Sequence, residues 1–309
     1  MNRTLWRSAA ALLTTGLSVV AFSGTAVARP ADTLVTDRSQ QAARTFWTPD
    51  RMRAAAPMDA PRVAVPPTHQ VAAGAPSAVA PTVIPQSGGP WTGAGNIVKT
   101  AGRVFFTYQG RTASCSGNAV TSANKSTVIT AGHCVKLDGA FHTNWVFAPA
   151  YNNGTTPYGT WSARALQATP QWVASENISY DIGAAVVSTL NGAYLTDVVG
   201  AQGIAFNQAK QQNMYAFGYP AAAPYDGTRL IYCSGKAFNE FLGTGDLGLT
   251  CNMTGGASGG PWFLQFNESA GTGLLNSVNS FKYSFSNTWM FGPYFGADAA
   301  NLYNAAQNA

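Results

Sequence analysis

From about residue 100 onward, short apolar or β-branched runs alternate with clusters of Gly, Asn, Ser and Lys. The runs 103–108, 116–120, 127–130, 145–148, 182–187, 214–217, 230–233, 247–251, 262–266 and 274–280 have strand length and turn-forming flanks. Strands at this spacing predict an all-β sandwich or barrel, and the count fits two halves of about six strands each. One stretch has helical spacing: 297–306 is alanine-rich, with Leu302, Tyr303 and Ala306 on one face, and predicts a C-terminal helix. No internal repeat of fixed period is found.

The pattern is different before residue 90. Residues 29–90 are rich in Ala, Pro and Val and hold ten of the seventeen prolines, a composition that predicts little regular structure. One island, 46–53, carries aromatic and basic groups suited to docking on a partner surface. The first residues read as a secretory signal: Arg3 and Arg7, an apolar run over 9–22, then Ala26-Val27-Ala28 as a cleavage site. The apolar run is shorter than the roughly 20 residues a spanning helix needs, so a retained anchor is not expected. The domain reading is therefore 1–28 signal peptide, 29–90 pro-segment, largely disordered, and 91–309 folded domain. His69 is assigned no role.

Composition narrows the classes. Only 10 % of residues are charged, and 32 are glycine, which suits strands and turns better than helices. The net charge of +5 suggests nucleic acid until it is divided by region. Residues 1–86 hold eight Arg and four Asp, whereas 87–309 hold ten Lys or Arg against nine Asp or Glu, a net of about +1 with no basic stripe. Four cysteines in an exported chain imply two disulfides with three possible connectivities. The separations of 19 (Cys115, Cys134) and 18 (Cys233, Cys251) suggest local pairs, each worth about 3 kcal/mol in the chain-entropy view. Without C-x-x-C or His-x-x-x-His, no metal site is expected.

Three segments carry candidate chemistry. Gly255-Gly256-Ala257-Ser258-Gly259-Gly260-Pro261 places a serine in a tight glycine bend, where Oγ and neighbouring N–H groups can face the same way. Thr130-Ala131-Gly132-His133-Cys134 follows directly on a strand and aims an imidazole from a pinned backbone; His142, in a plain loop, is the weaker candidate base. Tyr180-Asp181-Ile182-Gly183-Ala184 sets a carboxylate at the head of a buried-looking strand, where its charge needs a partner such as an imidazole N–H. Asp138, Glu176, Asp197, Asp226, Glu240 and Asp246 also lie between His133 and Ser258, but none opens a strand in this way.

In their order, these motifs resemble the three catalytic motifs of the trypsin/chymotrypsin-like serine proteases, and more closely the secreted actinobacterial members, over about residues 95–305. The resemblance implies two six-stranded antiparallel β-barrels with the site between them. It implies His133 as general base, Asp181 as its orienting group, Ser258 as nucleophile and the backbone N–H groups of Gly256 and Ser258 as the oxyanion hole. It also implies that Cys115 and Cys134 form the bridge that clamps the histidine loop. The α/β-hydrolase elbow G-x-S-x-G is also matched, but that fold needs a His after the Ser, and no histidine follows Ser258. A Cys134 nucleophile fails because adjacent side chains do not face each other and Cys134 is expected in a disulfide.

Two departures matter. The residue before the serine, an Asp that binds the new N-terminus in the digestive enzymes, is Ala257 here, so activation by that ion pair is excluded. Cys251 lies seven residues before Ser258, a spacing unlike theirs. The position six before the serine is Asn252, followed by Met253; with Asn279 in the 276–280 strand they are the candidate substrate-binding residues of a neutral pocket. The expectation is a secreted monomeric serine endopeptidase, made as a zymogen and acting on protein or peptide substrates. It would use no cofactor and bind neither nucleic acid nor membrane. The rival is a non-catalytic binding protein on the same fold.

Overall fold

The computed structural model describes residues 30–59, 61–63, 71–79 and 95–309; the expected signal peptide and His69 lie outside them. Six antiparallel strands form a closed barrel in the first half of the folded domain. Ala101–Tyr108 pairs with Arg111–Ala119, which pairs with Thr127–Thr130, then Gly183–Val187, Trp161–Ala168 and Thr143–Pro149, which returns to the first strand. Its interior is filled by Val104, Phe106, Val128, Phe147, Leu166 and Val186, all fully buried. Trp161–Ala168 is absent from the strands expected above. Its Ala, Arg, Leu and Gln favour helix locally, but a place between two neighbours in a closed ladder overrides that preference.

The second half is built differently. A six-stranded sheet runs Ile231–Lys236, Asn213–Gly218, Pro261–Asn267, Thr272–Val278, Gly203–Phe206, Ser77–Val79. A three-stranded sheet of Phe238–Asn239, Leu247–Thr250 and Trp289–Gly292 stands beside it. No ladder closes the larger sheet among the described residues, so the second closed barrel is not observed. The reason lies in Trp289–Gly292, which pairs with Leu247–Thr250 instead of completing the larger sheet. The Cys233–Cys251 disulfide joins the two sheets covalently. The C-terminal helix, Ala297–Gln307, buries Leu302 and Tyr303, and the Tyr303 hydroxyl donates to the Thr121 carbonyl at 2.7 Å. No helix among the described residues is long and apolar enough to cross a membrane.

The expectation of little regular structure before residue 90 fails for residues 31–57. Ala31–Leu34 adds an antiparallel strand to the barrel beside Trp161–Ala168. Helix Asp37–Phe46 follows, its first turn capped by the Thr36 hydroxyl. Helix Pro49–Ala54 is capped by Thr48 and starts on Pro49, a position where the missing N–H costs nothing. Proline content misled here because Pro49 starts a helix. The aromatic island has the partner expected of it, and that partner is the chain's own barrel. Trp47 and Met52 are buried against Phe105, Val146 and Tyr151, and Trp47 Nε1 donates to the Asn144 carbonyl at 2.7 Å.

Candidate active site

His133 sits on a single 3-10 turn, Gly132–Cys134, immediately after the barrel strand Thr127–Thr130. Asp181 ends a second such turn, Ile178–Tyr180, just before the strand Gly183–Val187 that pairs with Thr127–Thr130. Strand pairing therefore sets the two turns side by side at one end of the barrel. His133 Nδ1 lies 2.7 Å from Asp181 Oδ2, and the His133 backbone N–H donates to Asp181 Oδ1 at 2.7 Å. Ser280 Oγ donates to Asp181 Oδ2 at 2.6 Å. The carboxylate thus accepts three hydrogen bonds in a site where His133 and Asp181 have no solvent exposure. A carboxylate oxygen accepts, so Nδ1 is the donor of this pair and Nε2 is the ring nitrogen turned away from Asp181.

Packing leaves this pair little freedom. A Cβ on Gly132 would lie 2.7 Å from the Trp172 ring and 2.9 Å from Asp181 Oδ1, so only glycine fits there. Trp172 is itself fixed by donating to the Lys136 carbonyl at 2.8 Å. On the other side, His142 Nε2 donates to the His133 carbonyl at 2.9 Å and its ring stacks on Phe106 at 4.2 Å. Burial pulls the His142 pKa down to about 4, partly opposed by that hydrogen bond. His142 is thus a neutral brace for the histidine loop.

Ser258 reaches the same place from the second half of the chain. Its carbonyl accepts from the Ser116 N–H at 2.7 Å, and the adjacent Cys115 is bonded to Cys134, the residue after His133. Both expected disulfides are present. Gly259, at φ +77°, presses against the histidine loop: a Cβ there would meet Thr130 Oγ1 at 2.0 Å and Ser116 O at 2.5 Å. Ser258 is 1 % exposed, and neither its Oγ nor His133 Nε2 has a hydrogen-bond partner among the described residues.

The loop is held without the aspartate that Ala257 replaces. Gly256, at φ +92°, has its carbonyl bound by Ser116 Oγ at 2.8 Å, and that same oxygen accepts from the Tyr219 N–H. The Ala257 carbonyl accepts from Asn279 Nδ2 at 3.0 Å. Asn279 also donates to Phe217 O at 2.8 Å and accepts from Trp262 Nε1 at 2.7 Å. Asn279 therefore braces the serine loop from inside the core and does not line a pocket. Met253 is likewise fully buried, among Met214, Trp262 and Met290. Asn252 alone of the three lines a cavity, of about 410 Å³, beside Gly255. The same cavity is lined by Lys282, whose Nζ donates to the carbonyls of Cys251, Asn287 and Trp289 at 2.8–3.0 Å. Lys282 was missed at the level of sequence, although it stands two residues after the 276–280 run. A larger cavity of about 850 Å³, walled by aromatics such as Tyr151, Tyr215 and Phe266, contains none of His133, Asp181 and Ser258.

Solved structures similar to this chain include proteases. The crystal structure of the protease Anisep from Arthrobacter nicotinovorans is 48 % identical with a TM-score of 0.66, covering 69 % of this chain and 98 % of its own. A thermostable serine protease, AL20, from an extremophilic microorganism is 43 % identical with a TM-score of 0.66, covering 69 % and 99 %. A Glu endopeptidase, 18 % identical at a TM-score of 0.54 over 69 % of this chain and 92 % of its own, shares the fold. No family model matches the chain. A stretch of 71 residues is 38 % identical to the extracellular metalloprotease of Bacillus subtilis (strain 168), so the match spans 23 % of this chain and 22 % of that relative. The donor set here does not fit a metal. Cys115, His133 and Cys134 are the one cluster of three potential ligands among the described residues, and its sulfurs are joined in a disulfide while His133 Nδ1 is engaged by Asp181.

Proposed function

Because the chain belongs to the trypsin/chymotrypsin-like serine proteases, we propose that this serine endopeptidase works through an acyl-enzyme on a Ser258–His133–Asp181 triad. The observation that carries the reading is the carboxylate that grips the histidine twice. Asp181 holds the His133 ring through Nδ1 and its backbone through N–H, which leaves Nε2 as the base. In acylation Ser258 Oγ bonds to the scissile carbonyl carbon, its proton passes to His133 Nε2, and the oxyanion forms against the N–H groups of Gly256 and Ser258. The protonated Nε2 then gives that proton to the departing amine, and water repeats the sequence to release the acid. In this reading Asn279 and Ser116 replace the missing acidic anchor by bracing the carbonyls of Ala257 and Gly256. In the same reading the two sheets of the second half, joined by the Cys233–Cys251 bridge, take the place of the second barrel.

Secretion is supported by the two disulfides and by the basic, apolar and A-x-A run of the first 28 residues. The cavity beside Gly255 supports a pocket that does not select basic side chains. Its one carboxylate, Asp59, comes from the pro-segment, while the folded domain contributes Asn252 and the Lys282 ammonium. Substrates are proteins or peptides, and the acting species is a monomer. Replacing Ser258 by Ala should lower kcat by on the order of 10⁶, as for other serine proteases, and abolish fluorophosphonate labelling. A mature protein that takes up no label at Ser258 yet stays folded would instead favour a binding module.

A further inference from the structure

The pro-segment does more than sit on the barrel. After the second helix it crosses the cleft and makes contacts of the kind a substrate backbone would use. Ala56–Pro57 pairs with Ala113–Ser114, and the Met58 N–H donates to the Ser114 carbonyl at 2.8 Å. The Met58 carbonyl accepts the Gly256 N–H at 2.7 Å, the donor assigned above to the oxyanion hole. Asp59 follows at the rim of the 410 Å³ cavity. Further on, the Lys282 N–H donates to the Pro61 carbonyl at 3.2 Å, and Arg62–Val63 pairs with Lys282–Tyr283. With these residues in place His133 and Ser258 are 0 % and 1 % exposed, so a second polypeptide has no approach to them.

Chain direction decides whether this is a substrate or an inhibitor. Both pairings are parallel. The segment therefore enters beside Ser114, next to the Cys115–Cys134 bridge and the histidine loop, and leaves along Lys282. If Ser258 attacked the Met58 carbonyl, the departing amine would be the nitrogen of Asp59. That nitrogen lies toward Gly255 and the cavity, whereas the proton it needs is on His133, on the Ser114 side. The residues that would stay on the serine, Ala56 and Pro57, lie where the leaving group has to depart.

We propose, on the protease reading above, that residues 56–59 and 61–63 form a built-in inhibitor that occupies the cleft backwards. It engages the oxyanion donor through Met58 and holds the enzyme silent without being cut at Met58–Asp59. The ligand class this implies for the mature cleft is an extended peptide of reversed direction with a carbonyl at the Met58 position.

The test uses the full secreted chain. Fluorophosphonate labelling of Ser258 should be at least about 100-fold slower in the intact chain than after the pro-segment has been cut away and dissociated. Mass spectrometry should find Met58–Asp59 intact throughout. Met58→Pro removes the N–H given to Ser114 while leaving the helical anchors, and should raise labelling of the intact chain at least about tenfold. Equal labelling with and without the pro-segment overturns the proposal, as does a Met58→Pro chain as silent as wild type. Cleavage at Met58–Asp59 that disappears in Ser258→Ala would show a substrate-like orientation and also overturn it. A chain freed of its pro-segment that still takes no label would sink the protease reading itself, a result separable from the others.

Discussion

Asp181 carries more of the site than its place in the sequence suggests. One carboxylate fixes the His133 ring, the His133 backbone and the Ser280 hydroxyl, all without solvent. An amide in its place would offer an NH₂ group where Nδ1–H now donates, favouring the wrong imidazole tautomer. Asp181→Asn should therefore lower kcat by about 10⁴, by analogy with the triad of other serine proteases. Asp138 accepts from Tyr108 and Gln109 at the surface. Asp138→Asn should leave kcat within a factor of two, and the opposite ranking of the two variants would remove Asp181 from its role. At this scale the sequence was informative where chemistry is scarce. With two histidines in the folded domain and few acids, His133 and Asp181 stood out. Met253 misled because spacing from the serine says nothing about which side of the loop faces the core, and Asn279 because strand residues alternate between faces.

Among the elements, the histidine loop is held between the Trp172 ring and His142, and the second brace titrates. The folded chain holds His142 near a pKa of about 4 against an ordinary 6.5, because burial disfavours its charged form. Above pH 6.5 neither state binds the proton and nothing is lost. Between 6.5 and 4 only the unfolded chain binds it, so the folded state should lose about 1.4 kcal/mol per pH unit, about 3 kcal/mol in all. A glutamine at this position keeps a donor for the His133 carbonyl but does not titrate. In a Ser258→Ala background, the stabilities of the chain that keeps His142 and of the His142→Gln chain, read from urea midpoints, should converge by 2–3 kcal/mol (about two pH units of that slope) from pH 7 to 4.5. A gap that does not change with pH would mean that His142 is not held neutral. The strands at Thr127–Thr130 and Asn213–Gly218 were legible because apolar residues fill them and turn residues bound them. Trp161–Ala168 was not, since its residues favour helix and only its neighbours make it a strand.

At the scale of the whole molecule, residues 31–57 and the barrel form one packed unit. The ten prolines and the alanine-rich composition of residues 29–90 hid this, because few of its side chains pack on the barrel. Trp47 is the main one: 5 % exposed, its ring 5.2 Å from Phe105, and its indole N–H on the Asn144 carbonyl. These contacts lie on the barrel, away from Ser258, so they set how tightly the N-terminal segment is held and not how the cleft reacts. On the zymogen reading proposed above, a chain cut between the two parts should keep residues 31–57 bound until diluted or digested. Truncating a buried Trp costs about 3–5 kcal/mol in a protein core, and the low end of that range is about 100-fold in dissociation constant. Trp47→Ala should therefore weaken the cut complex by about two orders of magnitude, read by gel filtration or by the concentration at which labelling of Ser258 returns. The labelling rate of the fully dissociated enzyme should stay unchanged. A Trp47→Ala complex as tight as wild type would move the anchor elsewhere, to the Ala31–Leu34 strand or to Arg44, which donates to Ser162 Oγ at 2.6 Å.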